Sequence, residues 1–183
     1  MRQTKVINIF GAPSSGKSTV RAGLFSLLKK EYQMAVEEVT EYAKDLVWDN
    51  HINVLKDQIM VFAEQNHRQE RLRGQVDYII TDSPILLPIL YYKVNGCTQP
   101  ESLLTLIHDT WLSYENVNIM LTRHHPFDNV GRVQGTDEQA NQIHDDLLKL
   151  LSDLEVDYVN VSSNEPNLLL TILSYVQTKG QIS

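Results

Sequence analysis

Cysteine is nearly absent from this chain: Cys97 is the only one in 183 residues. No intramolecular disulfide can form, a reducing compartment suits the protein, and the lone thiol reads as a passive small side chain. Basic charge is also short, with 16 Lys and Arg against 23 Asp and Glu and a formal net charge of −7. Non-specific grip on duplex DNA needs a basic face, so this balance argues against it while allowing a local basic groove. Long apolar runs are missing. The most apolar stretch, Ile85 to Tyr92, is broken by Pro88 and falls far short of the ~20 residues of a spanning helix. No leader-like segment opens the chain, and the expectation is a soluble, cytoplasmic protein with no membrane partner. Repeats, low-complexity tracts and linkers are lacking too. One domain over residues 1–183 is therefore expected, and a hydrophobic content of 42% is enough for a core.

What is present begins with Gly11-Ala12-Pro13-Ser14-Ser15-Gly16-Lys17-Ser18. These residues fit G-x-x-x-x-G-K-[ST], the phosphate-binding P-loop. The flanks supply the required context. Val6-Ile7-Asn8-Ile9-Phe10 reads as a buried strand, and Ser18 to Lys30 carries Val20, Leu24, Leu27 and Leu28 at helical spacing. Gly11 and Gly16 let the backbone approach a phosphate without a Cβ in the way. The loop amides and the helix N-terminus make an anion site. Lys17 is then expected to reach the β and γ phosphates and Ser18 to hold Mg²⁺, with Thr19 completing the ATP-binding segment.

The rest of the chain alternates strand and helix. Met34 to Val39 reads as a second strand, with Thr40 as the cap of the next helix and Glu41 in its first turn. Val54 to Arg73 reads as one helix with Leu55, Ile59, Phe62 and Leu72 as its apolar stripe, ended by Gly74. Val76 to Asp82 reads as a strand with an acid at its carboxyl end, the Walker B pattern. A short helical region, Ile85 to Val94, is followed by an Asn95-Gly96 turn, a helix from Glu101 to Tyr114 and a strand over Val117 to Leu121. Arg123 to Thr136 reads as a loop; a helix, the strand Val156 to Val161 and a last helix from Pro166 follow. This alternation predicts an α/β fold with a five-stranded parallel sheet covered on both faces. Ligands of such sheets bind at the carboxyl ends of the strands.

Several polar residues fall at those ends. Glu41 is a candidate general base or holder of a substrate hydroxyl, with the helix dipole as its plain explanation and Glu38 as its rival. Asp82 is a candidate Mg²⁺ ligand, set against a turn role in Thr-Asp-Ser-Pro. Arg123 and Arg132 bracket the Pro- and Gly-containing loop and read as a lid that stabilises transferring charge. His124-His125 lacks the companions of a metal site. Gln58, Gln65 and Arg68 either read a base or sugar or simply form a polar helix face.

With these residues in view, the chain resembles the P-loop nucleoside and nucleotide kinases. Thr40-Glu41-Tyr42-Ala43-Lys44 is similar to the Glu-Tyr-Ala segment of NadR-type ribosylnicotinamide kinase domains. It also sits where deoxynucleoside kinases carry their catalytic glutamate, and Trp48 fits that pattern. Asp82 matches the acid after strand three of thymidylate-kinase-like enzymes. Gly131-Arg132-Val133-Gln134 resembles the lid of small phage and bacterial kinases, including those that phosphorylate 5-hydroxymethyluracil in DNA. The resemblance implies Mg-ATP-dependent phosphoryl transfer to a nucleoside- or nucleotide-type acceptor, by a monomer or homodimer. It implies catalytic roles for Lys17, Glu41, Asp82, Arg123 and Arg132, and the host cytoplasm if the chain is phage-encoded. A modified base in DNA is the alternative acceptor. Ser83 and Pro84 stand where thymidylate and deoxynucleoside kinases place an arginine, so the acceptor is not carried over. A non-kinase NTPase switch is the second alternative. The chain has no Asn-Lys-x-Asp guanine motif and no room for the helical second domain of AAA+ machines.

Overall fold

The computed structural model describes residues 2–94, 99–133 and 135–180. The expected Asn95-Gly96 turn, Cys97 and Gln134 lie outside the described residues. Strands β1 (Lys5–Phe10), β2 (Val36–Val39), β3 (Tyr78–Thr81), β4 (Glu115–Thr122) and β5 (Val159–Ser162) form one sheet. Its order is β2-β3-β1-β4-β5, and every pairing is parallel. Parallel neighbours need crossovers. These are made by α1 (Lys17–Lys30), α2 (Tyr42–Trp48), α3 (Gln58–Glu70), α4 (Leu87–Val94), α5 (Ser102–Leu112) and α6 (Asp137–Asp153), while α7 (Leu168–Gly180) follows β5. The expected α/β P-loop sheet is the one observed.

Side chains on β1 alternate between two cores, as a strand's period of two requires. Val6 and Phe10 join Ile79, Met120, Trp111 and Leu147 on one face. Ile7 and Ile9 join Leu24, Leu28, Ile80, Ile119 and Ile172 on the other. Phe10 meets Trp111 edge-on, with centroids 5.9 Å apart. Each such buried side chain contributes roughly 1.5–3 kcal/mol. Asn8 interrupts the apolar row, and its amide donates to Asn116 Oδ1 at 2.9 Å and Asn118 Oδ1 at 3.1 Å.

Two local expectations need correction. The segment expected as one helix over Val54 to Arg73 is a 3-10 turn, Ile52–Lys56, followed by α3. Asp57 separates them, because its carboxylate caps α3 by accepting the Met60 amide at 3.1 Å. The helix ends at Glu70, and Gly74 turns the chain four residues later with φ 77. The buried face of α3 is Gln58, Phe62, Gln65 and Gln69, whereas Ile59 is 47% exposed. Gln65 of that face meets the start of α2, where free backbone groups reward a polar side chain over an apolar one. Thr40 does not cap α2 either: the helix begins at Tyr42, and Glu41 occupies the N-cap position. Among the described residues no helix is long and apolar enough to cross a membrane.

Candidate active site

Strand register brings the separated motifs together. Asn8 pairs with Thr81, and Thr81 pairs with Val39. The glycine loop after β1, Asp82 after β3 and Glu41 after β2 therefore leave the same carboxyl edge of the sheet, where doubly wound sheets bind ligands.

The loop conformation explains its glycines. Gly11 has φ 153, and a Cβ there would lie 2.6 Å from Ser15 Oγ and 2.7 Å from the Leu121 carbonyl. Gly16 has φ 87 and holds the N-cap of α1 without a side-chain cap, leaving first-turn amides open to an anion. Lys17 Nζ donates to the carbonyls of Gly11 at 2.8 Å and Ala12 at 3.0 Å. Burial holds the Lys17 amine below the usual lysine range, against the opposing pull of Glu41 and Asp82.

The acids divide by partner. Asp82 is 3% exposed, and the Arg21 guanidinium reaches it at 3.5 Å and Glu38 at 3.4 Å. Glu38 is thus taken up by Arg21, whereas Glu41 lines the cavity. Burial raises the Glu41 pKa above the usual glutamate range, with Lys17 pulling the other way. Sequence reading missed Arg21. Its signal was spacing: Arg21 follows Ser18 by one helical turn and shares its face of α1.

A cavity of about 770 Å³ is lined by Lys17 and Glu41, whereas Asp82, Arg21 and Glu38 are not among the described residues that line it. Residues 13–19 of the loop and α1 form one wall, with Glu41 and Lys44 beside them. Val47, Leu55, Val61, Leu87, Pro88 and Tyr91 add apolar and aromatic surface to its lining. The lid covers it. Ser14 bonds Asp128, and a Cβ on Gly131 would fall 2.8 Å from the Trp48 ring. Arg132 lines the cavity and donates to the carbonyls of Asp128 at 2.7 Å and Val130 at 3.2 Å. Arg123 is placed differently. Its guanidinium bonds Asp137, Asn141 at 2.7 Å and the His125 carbonyl at 2.8 Å, and it is not among the described residues that line the cavity.

The third-helix candidates also separate. Gln58 and Gln65 line the cavity. Gln58 donates to the Leu55 carbonyl at 2.6 Å and leaves its own oxygen buried without a partner among the described residues. Arg68 pairs instead with Asp45 and Glu64 and stacks over Tyr42.

These residues fit ATP and Mg²⁺. The glycine cradle and uncapped helix suit a triphosphate. Asp82 Oδ1 is buried and, beyond the Arg21 guanidinium at 3.5 Å, accepts no hydrogen bond among the described residues, and Ser18 lines the cavity. A carboxylate and a hydroxyl are the hard oxygen donors Mg²⁺ takes.

The sheet order and the glycine loop after β1 define a P-loop fold. A family model described as an AAA domain matches residues 6–166, and the chain belongs to that family. Solved structures show the same fold. Thymidylate kinase from Ehrlichia chaffeensis is similar over 97% of this chain and 99% of that one, with TM-score 0.63 and 15% identity. A NadR protein in complex with NR is similar over 99% of this chain but 51% of its own, with TM-score 0.69 and 15% identity. No curated protein sequence matches significantly.

Proposed function

We propose that the protein is an ATP-dependent kinase that transfers the γ-phosphoryl group to a hydroxyl of a nucleoside-type acceptor. The observation that carries this reading is that Lys17, Glu41 and Arg132 line one cavity whose wall also takes in Gln58, Gln65 and the apolar side chains of α3 and α4. A nucleotide-hydrolysing switch needs no such wall beside its phosphate site, whereas an acceptor body does.

The residues divide the work. The loop amides, Ser18 and Thr19 bind the triphosphate, and Lys17 and Arg132 offset charge on the transferring group. Glu41 takes the proton of the acceptor hydroxyl as its oxygen bonds to phosphorus and the bond to the ADP oxygen breaks. Ser18 and Asp82 would hold Mg²⁺, which would neutralise phosphate charge. Closure of the lid keeps water from competing with the acceptor.

The test is ADP release from Mg-ATP against a panel of nucleosides, nucleoside monophosphates, nicotinamide riboside, and DNA with and without 5-hydroxymethyluracil. Turnover with one acceptor, lost in Lys17→Ala and Asp82→Ala, is expected. Tight nucleotide binding with no acceptor dependence would sink the kinase reading.

A further inference from the structure

Helix α2 begins at the acid assigned as base, and its capping is unusual. An N-cap side chain normally accepts a first-turn amide. At α6 this holds, since the Thr136 hydroxyl accepts the Gln139 amide. At α2 the N-cap residue is Glu41, and its carboxylate caps nothing. The acceptor comes from another helix instead. Gln65 Oε1 accepts the Tyr42 amide at 3.0 Å, and Gln65 Nε2 donates to the Thr40 carbonyl at 3.2 Å. One side chain thus holds the residues on both sides of Glu41. An amide N–H on one side and a carbonyl on the other admit only one orientation of the carboxamide. Gln65 is 2% exposed and forms part of the cavity wall.

We propose that Gln65 is the positioning residue for Glu41: it caps α2 in Glu41's place and leaves the Glu41 carboxylate free in the cavity. This rests on the kinase reading. A Glu41 that capped its own helix would turn toward the amides of α2 and away from an acceptor. The charged and titratable groups acting on Glu41 come from every surrounding element: Lys17 of α1, Lys44 of α2, Asp82 after β3, Arg132 of the lid and Tyr91 of α4. Gln65 fixes the acid among them without adding a charge of its own.

The experiment is a double-mutant cycle on kcat with Glu41→Gln and Gln65→Met, using the acceptor identified by the panel and saturating Mg-ATP. Methionine matches the length of Gln65 and removes both hydrogen bonds. Gln65→Met is expected to lower kcat roughly 10- to 100-fold, the scale of a misplacement of about 1 Å, with the KM for ATP within about twofold. In the Glu41→Gln background the same change is expected to cost less than about twofold, because the group it positions is already gone. Equal loss in both backgrounds overturns the proposal, as does Glu41→Gln with wild-type kcat. Unchanged kcat with a raised acceptor KM also overturns it and makes Gln65 a substrate contact. Gln65→Asn, which keeps the carboxamide but shortens its reach, replaces Gln65→Met if that variant melts far below wild type. Wild-type protein without acceptor-dependent ADP release fails the kinase reading itself. Turnover with no effect at Gln65 fails the positioning alone.

Discussion

The Ser14 hydroxyl accepts the Asp128 amide at 2.9 Å and lies 3.4 Å from the Asp128 carbonyl, tying the glycine loop to the lid. A second support of the lid is Gly131, which packs against Trp48 and Lys44 with φ +68. Both contacts lie beside Arg132, so they set where its guanidinium stands.

Gly131→Ala is expected to lift the lid. The added Cβ meets Trp48 Cζ2 at 2.8 Å and Lys44 Cε at 3.1 Å. Left-handed backbone costs a further ~1–2 kcal/mol for a residue with a Cβ. The expected result is a fall in kcat of about tenfold or more, from withdrawal of a charge-stabilising group, with a changed Trp48 emission. Trp48 is 60% exposed, whereas Trp111 is buried at 3% and serves as a constant background. Steady-state kinetics and tryptophan fluorescence check both parts, and wild-type kinetics would refute the seating.

Arg132 and Arg123 are expected to behave differently although both belong to the lid. Arg132→Ala removes a cation from the cavity and should lower kcat by roughly 10²–10³, the scale seen for one transition-state donor. Arg123 is engaged by Asp137, whose carboxyl pKa is lowered first by that hydrogen bond. Arg123→Ala and Asp137→Asn are therefore expected to show the same smaller loss, and the double variant no more than either alone. Kinetics of the three variants decide it; an Arg123→Ala loss as large as that of Arg132→Ala would place Arg123 at the phosphates.

The pH profile of kcat/KM should be narrow. Glu41 must be unprotonated to act as base. Burial raises its pKa above the ordinary 4.5, so activity is expected to fall on the acid side at a pH above 4.5. Lys17 must be charged. Burial lowers its pKa from the ordinary 10.5, so the alkaline fall begins below that value. A bell measured across this range is the expected outcome, with the acid limb abolished in Glu41→Gln. An acid limb that persists in Glu41→Gln would mean that Glu41 is not the base.

Arg21→Met is expected to destabilise the fold. The substitution leaves Asp82, whose side chain is 4% exposed, and the partly buried Glu38 without their shared cation. Breaking a buried pair from one side costs about 3–5 kcal/mol, and the partial exposure of Glu38 points to the lower end. Urea unfolding without Mg²⁺ measures it; a midpoint equal to wild type would show that water satisfies both acids.

Local chemistry made much of the fold legible. Strand β1, the glycine loop and α1 follow from a β-branched run, two glycines at fixed spacing and leucines at helical period. The acid ending β3 and the start of α6 at Thr136, with its capping box, are equally local. The α3 region was misread because its apolar residues were assumed to mark the buried face. Ile59 is exposed there and Gln58, Gln65 and Gln69 are buried; Gln65 is held by the Tyr42 amide and the Thr40 carbonyl, partners that only the packed fold supplies.

The sequence alone therefore determined the class of sheet and the phosphate-binding loop, because strand period, helix period and glycine turns are encoded by neighbouring residues. Only the tertiary structure decided which acid faces the cavity. Arg21 occupies Glu38, Gln65 holds the chain on both sides of Glu41, and Arg132 lines the cavity while Arg123 is bound to Asp137 and Asn141. Those choices depend on contacts between residues far apart in the chain, such as Ser14 with Asp128, 114 positions away. Such contacts leave no periodic trace along the sequence, because only the closed sheet and the packed helices bring the partners within reach.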